Sequence, residues 1–398
     1  MRSIELYPLY GFCAVSAILL LFAPDTRASG EYEIYDVTPP YSNYTHAYAF
    51  DLNEDDQVVG KISDSVSTDD FSSSSAFIYS AGIWTNLDVP PKGLDGAYGI
   101  NESQEVAGYG IPSDAWDFHA YRYDHISMTT TDIGNLENNY EFGVAVASDI
   151  NDSGAIVGYS IAPSGYPHAF KYESATMIDL SVGSVYYSGY TSVANAINNN
   201  GVVVGSISPI SANPPAYAFM WTEAGKMVRL DNLGLGIYSE AHDINDLGYI
   251  VGFTKDTNGK SHAFLCLGAL GAKVVLDELP SGTWSEAYGI NNNMQIVGSS
   301  DNQAVLWEKN SLGEYEALNL NDFLPEGSLW TLVAAYSIND KGSIVGWGTI
   351  QGESGFRAFL LQANYDGVPI PEPLSILLLL GSIVGIIFKN RLQSDNIK

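Results

Sequence analysis

Oxygen-bearing side chains at alternating positions are the first chemistry this sequence offers. Asp51, Asn53 and Asp55 stand in the stretch Asp51-x-Asn53-x-Asp55-Asp56, and alternating oxygens of this kind are what a calcium loop supplies. Asp149-x-Asn151 and Asp243-x-Asn245 repeat the start of the pattern. The sixth-position glycine and the distant glutamate of an EF-hand are missing. The same residues suit a tight turn, because Asn and Asp bond the backbone just ahead of them. Calcium at Asp51, Asn53 and Asp55 is one expectation, and a metal-free turn is the preferred one. No other cofactor is indicated.

Large aromatic residues are the second feature. Tyr41, Tyr44, Tyr140, Phe142, Tyr190, Tyr238, Trp284 and Trp330 fall between periodic segments. Exposed rings stack on sugars; buried ones pack element against element. Tyr140, Tyr190, Tyr238, Trp284 and Trp330 are the candidate ligand-face residues. Catalytic signatures are missing: no Gly-x-Ser-x-Gly, no His-Glu-x-x-His, no Gly-rich phosphate loop and no paired cysteines. No catalytic residue is assigned. Cys13 lies in an N-terminal apolar run and Cys266 in an expected strand, so Cys266 reads as a buried structural thiol.

The net charge of −29, from 46 acidic and 17 basic residues, argues against nucleic acid, whose phosphates require Lys/Arg surfaces. It suits a chain kept soluble outside the cell.

The elements that position these residues come from a repeat. Ala-x-x-Ile/Leu-Asn, followed seven residues on by Gly, occurs seven times. The asparagines are Asn53, Asn101, Asn151, Asn198, Asn245, Asn291 and Asn339, at spacings of 48, 50, 47, 47, 46 and 48 residues. Each unit then carries a residue followed by Ala and usually an aromatic, as in His119-Ala120-Tyr121, His168-Ala169-Phe170 and His262-Ala263-Phe264. These landmarks resemble the HAF family of extracellular repeats, named for His-Ala-Phe. The resemblance implies location and repeat type, and no particular activity.

Each unit reads as four strands: one ending at Ile/Leu-Asn, one before the Gly, one carrying His-Ala-Phe, and a short one near Leu-Asp. Asn151-Asp152-Ser153-Gly154 is hairpin chemistry. Units of this size repeated radially predict an all-β, seven-bladed β-propeller of four-stranded antiparallel blades. A β-solenoid is the runner-up. The seventh unit lacks a fourth strand, and Ile34-Tyr35-Asp36-Val37-Thr38-Pro39-Pro40 parallels Leu87-Asp88-Val89-Pro90-Pro91. An N-terminal strand should therefore close the last blade and leave no open edge.

The two ends read differently. Arg2, an apolar stretch from Leu9 to Ala23, then Ala28 and Ser29 follow the order of a signal peptide, 1–29. The propeller occupies 30–366. At the other end stand Pro371-Glu372-Pro373, an uncharged stretch from Leu374 to Phe388, and Lys389-Asn390-Arg391. In that order they resemble the PEP-CTERM sorting signal, which implies processing by an exosortase, a membrane transpeptidase. The tail is then 367–398, with a hydrophobic helix at 374–388 that touches the membrane before processing. Leu392 to Lys398 extend past the basic pair, where the family's tail normally stops. An ordinary C-terminal anchor is the alternative.

The expected function is an exported, surface-displayed or matrix-associated propeller, acting as a non-enzymatic binding or structural module. Its partners would be matrix polysaccharide or a surface protein, met on the face of variable loops. The alternative is a secreted polysaccharide hydrolase or lyase using that face. The channel mouth should discriminate: convergent carboxylates with raised pKa favour the enzyme, repeat alanines and apolar residues favour binding.

Overall fold

A computed structural model describes residues 32–363 apart from 41–43, 65, 67–73, 88–92, 112–117, 137–142, 185–188, 212–214, 231–237 and 270. The signal peptide, the Pro371-Glu372-Pro373 motif, the hydrophobic segment 374–388 and Tyr140 lie outside the described residues. No helix among the described residues is long and apolar enough to cross a membrane.

The chain forms seven four-stranded sheets, each an antiparallel meander. The first blade is His46–Leu52, Val58–Ser63, Ser74–Ser80 and Ile83–Asn86. The seventh contains Trp330–Ile338, Ile344–Ile350 and Arg357–Ala363, and its fourth strand is Tyr32–Asp36 from the N-terminal end. That strand pairs Tyr32 with Ala363 and Asp36 with Phe359. The predicted propeller and its closing strand are both present. The only helical element among the described residues is one 3-10 turn, Leu320–Phe323.

The core lies between the blades. The second strand of each blade carries consecutive β-branched or small residues, and both faces of such a strand are covered. Side chains alternate, so Val58 packs against Val345, Ala358 and Leu360 of the seventh blade, while Val59 packs against Ala97, Ile100 and Val106 of the second. Seven such clusters fill the seven blade junctions. The repeat alanines Ala49, Ala97, Ala147, Ala194, Ala241, Ala287 and Ala335 are fully buried. Cys266 lies in the junction between blades four and five, where burial pushes its thiol up to about 12.

The repeat glycine has a steric cause. A Cβ on Gly205 would lie 2.0 Å from the carbonyl oxygen of Val193, and the same clash recurs at Gly60, Gly158, Gly252, Gly298 and Gly346. The carbonyl belongs to the innermost strand, just before a β-bulge. All seven innermost strands are bulged at one place, the step after the repeat alanine, as between Ala49 and Asp51. The bulge pushes the strand toward its neighbour, and only glycine tolerates the approach.

Candidate ligand site on the propeller axis

The innermost strands run from one face of the ring to the asparagine turns on the other. A bulge re-aims side chains, and here it turns two consecutive residues of each strand toward the axis. The repeat alanines do not line the channel; they sit in the blade junctions. Residues two and three before the repeat asparagines contribute to the lining, among them Asp51, Asp243, Phe50, Tyr98, Ser148, Asn195, Tyr288 and Tyr336, together with Val146, Val193 and Glu240 five before them.

On the turn face, a cavity of about 200 Å³ is lined by the asparagines and their neighbours. Two closed rings of hydrogen bonds surround it. In the first, each asparagine Nδ2 donates to the backbone carbonyl of the next blade's asparagine. Asn53 donates to Asn101 at 3.3 Å, Asn101 to Asn151 at 3.0 Å, Asn151 to Asn198 at 3.0 Å and Asn198 to Asn245 at 3.0 Å. Asn245 donates to Asn291 at 3.0 Å, Asn291 to Asn339 at 2.9 Å, and Asn339 closes on Asn53 at 3.1 Å. The second ring uses the next residue. The Glu54 backbone N–H donates to Glu102 Oε1 at 2.9 Å, and so on through Asp152, Asn199, Asp246, Asn292 and Asp340 back to Glu54.

Three carboxylates stand beneath these rings, in alternate blades. Asp51 accepts from Ile100 N–H (2.9 Å) and Ser337 Oγ (2.7 Å). Asp149 accepts from Ile150 N–H (2.7 Å) and Ile197 N–H (2.8 Å), and Asp243 from Ile244 N–H (2.7 Å) and Ile290 N–H (2.8 Å). Between them stand Gly99, Ala196 and Gly289. A Cβ on Gly99 would lie 2.9 Å from Asp149 Oδ1, so a small residue makes room for the neighbouring carboxylate. Burial pushes Asp51 up to about 7 and Asp243 up to about 6. Burial also raises Asp149, with the charges of Asp51 and Asp243 adding to it.

Toward the opposite face lies a larger cavity of about 550 Å³. Five blades supply a continuous arc of rings, all from the position three residues before the asparagine. His242 meets Tyr288 at 5.2 Å, Tyr288 meets Tyr336 at 5.1 Å, Tyr336 meets Phe50 at 5.5 Å and Phe50 meets Tyr98 at 5.0 Å, centroid to centroid. The two remaining blades place Ser148 and Asn195 there. Asn195 Nδ2 donates to Glu240 Oε1 at 3.1 Å and to the Ala241 carbonyl at 2.8 Å. His242 Nδ1 lies 2.9 Å from the Ala287 carbonyl; a carbonyl only accepts, so this nitrogen carries the proton.

The predicted candidates fall elsewhere. Asp51 spends its oxygens on Ile100 N–H and Ser337 Oγ. Asn53 Oδ1 accepts from the N–H of Asp55 and of Gln57, both at 3.1 Å, so it serves the turn. No group of three or more His, Cys, Asp or Glu among the described residues has a metal-holding arrangement. Trp330 meets the Phe359 edge at 6.3 Å and packs on the junction between blades six and seven. Tyr238 stacks on Phe253 at 5.7 Å, under the Lys255 ammonium at 4.5 Å. Tyr190 opens an innermost strand, and Trp284 is half-buried just before the next but one. Tyr238 and Trp330 are thus engaged by neighbouring rings, and none of these four belongs to the axial arc.

The repeated histidines are also absorbed. His119 Nδ1 lies 2.7 Å from Asp132 and His168 Nδ1 2.7 Å from Asp179, each a pair between third and fourth strands. Other blades fill the same two positions with Ser75 and Asn86 or Tyr217 and Arg229. One geometry served by several chemistries is a structural clasp.

Residues 96–233 match a family model described as a protein of unknown function (DUF3466). No curated protein matches the chain in sequence. Among solved structures, the chain is similar to TolB from Acinetobacter baumannii, at 10% identity and a TM-score of 0.43, over 70% of this chain and 64% of that one. It is similar to a puromycin-hydrolyzing peptidase of Mycobacterium tuberculosis at 11% identity and a TM-score of 0.47, over 86% of this chain and 56% of that one. The β-propeller domain of the Trilobed protease from Pyrococcus furiosus gives 10% identity and a TM-score of 0.46, over 82% and 95%. The chain thus spans about two thirds or less of the first two proteins.

Proposed function

We propose that this chain is an exported binding propeller, displayed at the cell surface or held in the matrix, whose axial cavity takes a saccharide of a matrix polysaccharide. The observation that carries the reading is the arc of Tyr288, Tyr336, Phe50 and Tyr98, with Ser148 and Asn195 on the same cavity of about 550 Å³. Ring faces offer stacking area, and the polar residues offer hydroxyl partners, the combination a sugar requires. Export and display rest on the signal-peptide pattern and on the tail's resemblance to an exosortase substrate. Such a tail is expected to be cut near Pro371-Glu372-Pro373, so the intact mass of the surface form should end there.

A glycan array paired with a hydrolysis assay tests the reading. The full chain should retain at least one glycan without degrading it, and Tyr336→Ala should weaken retention tenfold or more. Retention unaffected by Tyr336→Ala would remove the axial cavity from the account. A second reading, a hydrolase or lyase, draws on the raised carboxyls of Asp51, Asp149 and Asp243. Each of them spends its oxygens on hydrogen bonds within the ring, which suits a structural use better. Release of shorter saccharides, abolished by Asp149→Asn, would establish the enzyme instead.

A further inference from the structure

The axial cavity also has a charge preference, and this inference rests on the saccharide reading above. Five residues before the repeat asparagine, two adjacent blades carry Glu240 and Glu286; the other five carry Tyr48, Gly96, Val146, Val193 and Ala334. Glu240 lines the cavity. Glu286 Oε2 accepts from the Tyr288 phenol at 2.9 Å, directly behind the aromatic arc. Both carboxylates act on Tyr238 and help hold its phenol above the ordinary range, after burial. Among the described residues, no lysine or arginine forms an ion pair with either.

Two independent sources therefore make one side of the cavity negative. Carboxylates supply full charge, and the faces of Phe50, Tyr98, Tyr288 and Tyr336 supply the negative side of the ring quadrupole. The cavity is far larger than a bare ammonium requires, and Ser148 and Asn195 stand where hydroxyls would be met. We propose that the axial cavity selects a sugar bearing a protonated amino group, so that the chain binds an amine-bearing polysaccharide in preference to neutral or uronate-bearing ones. Uronates would be turned away by the same carboxylates.

Isothermal titration of the full chain at pH 6 tests this, with a glucosamine tetramer, its fully N-acetylated counterpart, a uronic-acid tetramer and trilysine as probes. The expected result is at least tenfold tighter binding of the free-amine tetramer than of the N-acetylated one, and none of the uronate. Glu240→Gln with Glu286→Gln should abolish the free-amine preference, bringing the free-amine and N-acetylated tetramers to within twofold of each other. Tyr336→Ala should weaken both, with circular dichroism confirming that the variants fold. Equal affinity for the two tetramers in the unsubstituted chain would overturn amine selection and leave the saccharide reading standing. Trilysine binding as tightly as the free-amine tetramer would overturn the sugar part. Free-amine binding untouched by the Glu and Tyr changes would place it on the acidic surface and overturn the site. No binding of any tetramer would sink the saccharide reading itself.

Discussion

Each repeat asparagine uses one amide for two purposes. In Asn198, Nδ2 reaches the next blade's carbonyl at 3.0 Å, while Oδ1 accepts from the N–H of Asn200 at 3.1 Å and of Val202 at 3.0 Å. The residue is buried, so removing the amide leaves the N–H groups of Asn200 and Val202 without their acceptor and takes one of two donors from the Asn245 carbonyl, which keeps the Gly248 N–H. Asn198→Ala should cost about 2–3 kcal/mol, read as a lowered urea midpoint. Asn200→Ala, whose amide makes one exposed bond to Asp246, should cost under about 1 kcal/mol. The aspartates beneath respond to pH. Unfolded, their carboxyls titrate near 4, at about 3.9; folded, Asp51 titrates at about 7 and Asp243 at about 6, and Asp149 is raised as well. Between those values the folded ring holds protons that the unfolded chain has released, so stability declines as pH rises through this window. The melting temperature should be several degrees higher at pH 5 than at pH 8. Serine at all three positions, the residue blade seven already uses as Ser337, should flatten that slope; an unaltered slope would assign it to other groups.

At the scale of the element, the bulge and the glycine explain one another, and both left a mark in the sequence. Ala147 and Ile150 are both buried yet three residues apart. A period of two would place them on opposite faces, so their common burial demands an extra residue. Reading that parity would have directed attention to Phe50, Tyr98, His242, Tyr288 and Tyr336. The sequence hides them because the position varies from blade to blade, with Ser148 and Asn195 breaking the run. Tyr238 and Trp330 stand out in the sequence by size and placement between units, but both are packed against rings of their own blade, Phe253 and Phe359. The hairpin turns were legible from chemistry alone: Gly154, Gly201, Gly248 and Gly342 take φ of 78°, 73°, 83° and 80°. Gln104 occupies the same turn position with φ 62°, where a side chain is strained. Gln104→Gly should raise stability by up to about 1 kcal/mol, seen as an increased urea midpoint at unchanged slope.

Over the whole molecule, closure depends on a strand that departs from the order of the chain. Tyr32–Asp36 supplies the outer strand of the blade whose other strands end at Ala363, and Arg357 lies 3.7 Å from Asp36 across that pairing. Removing residues 32–36 should lower the melting temperature by 10 °C or more, on the order of the loss of one strand's burial, and produce concentration-dependent aggregation in light scattering, since a bare edge remains. This joint was legible because the closing strand repeats the sequence of the strand it replaces. The axial cavity was not, because it is assembled from blades roughly 50 residues apart, the spacing a propeller repeat sets. The asparagine ring has one further consequence. Its bonds all point the same way round, so every blade is a donor to one neighbour and an acceptor from the other. A molecule split at any junction would present one donating end and one accepting end, identical in kind to those it had just parted. Such ends fit a second split molecule as well as each other. Opened rings would therefore link head to tail into chains or double-sized circles rather than clump at random, and the same one-way joint, identical at every junction, lets a gene gain or lose a repeat without rewriting it.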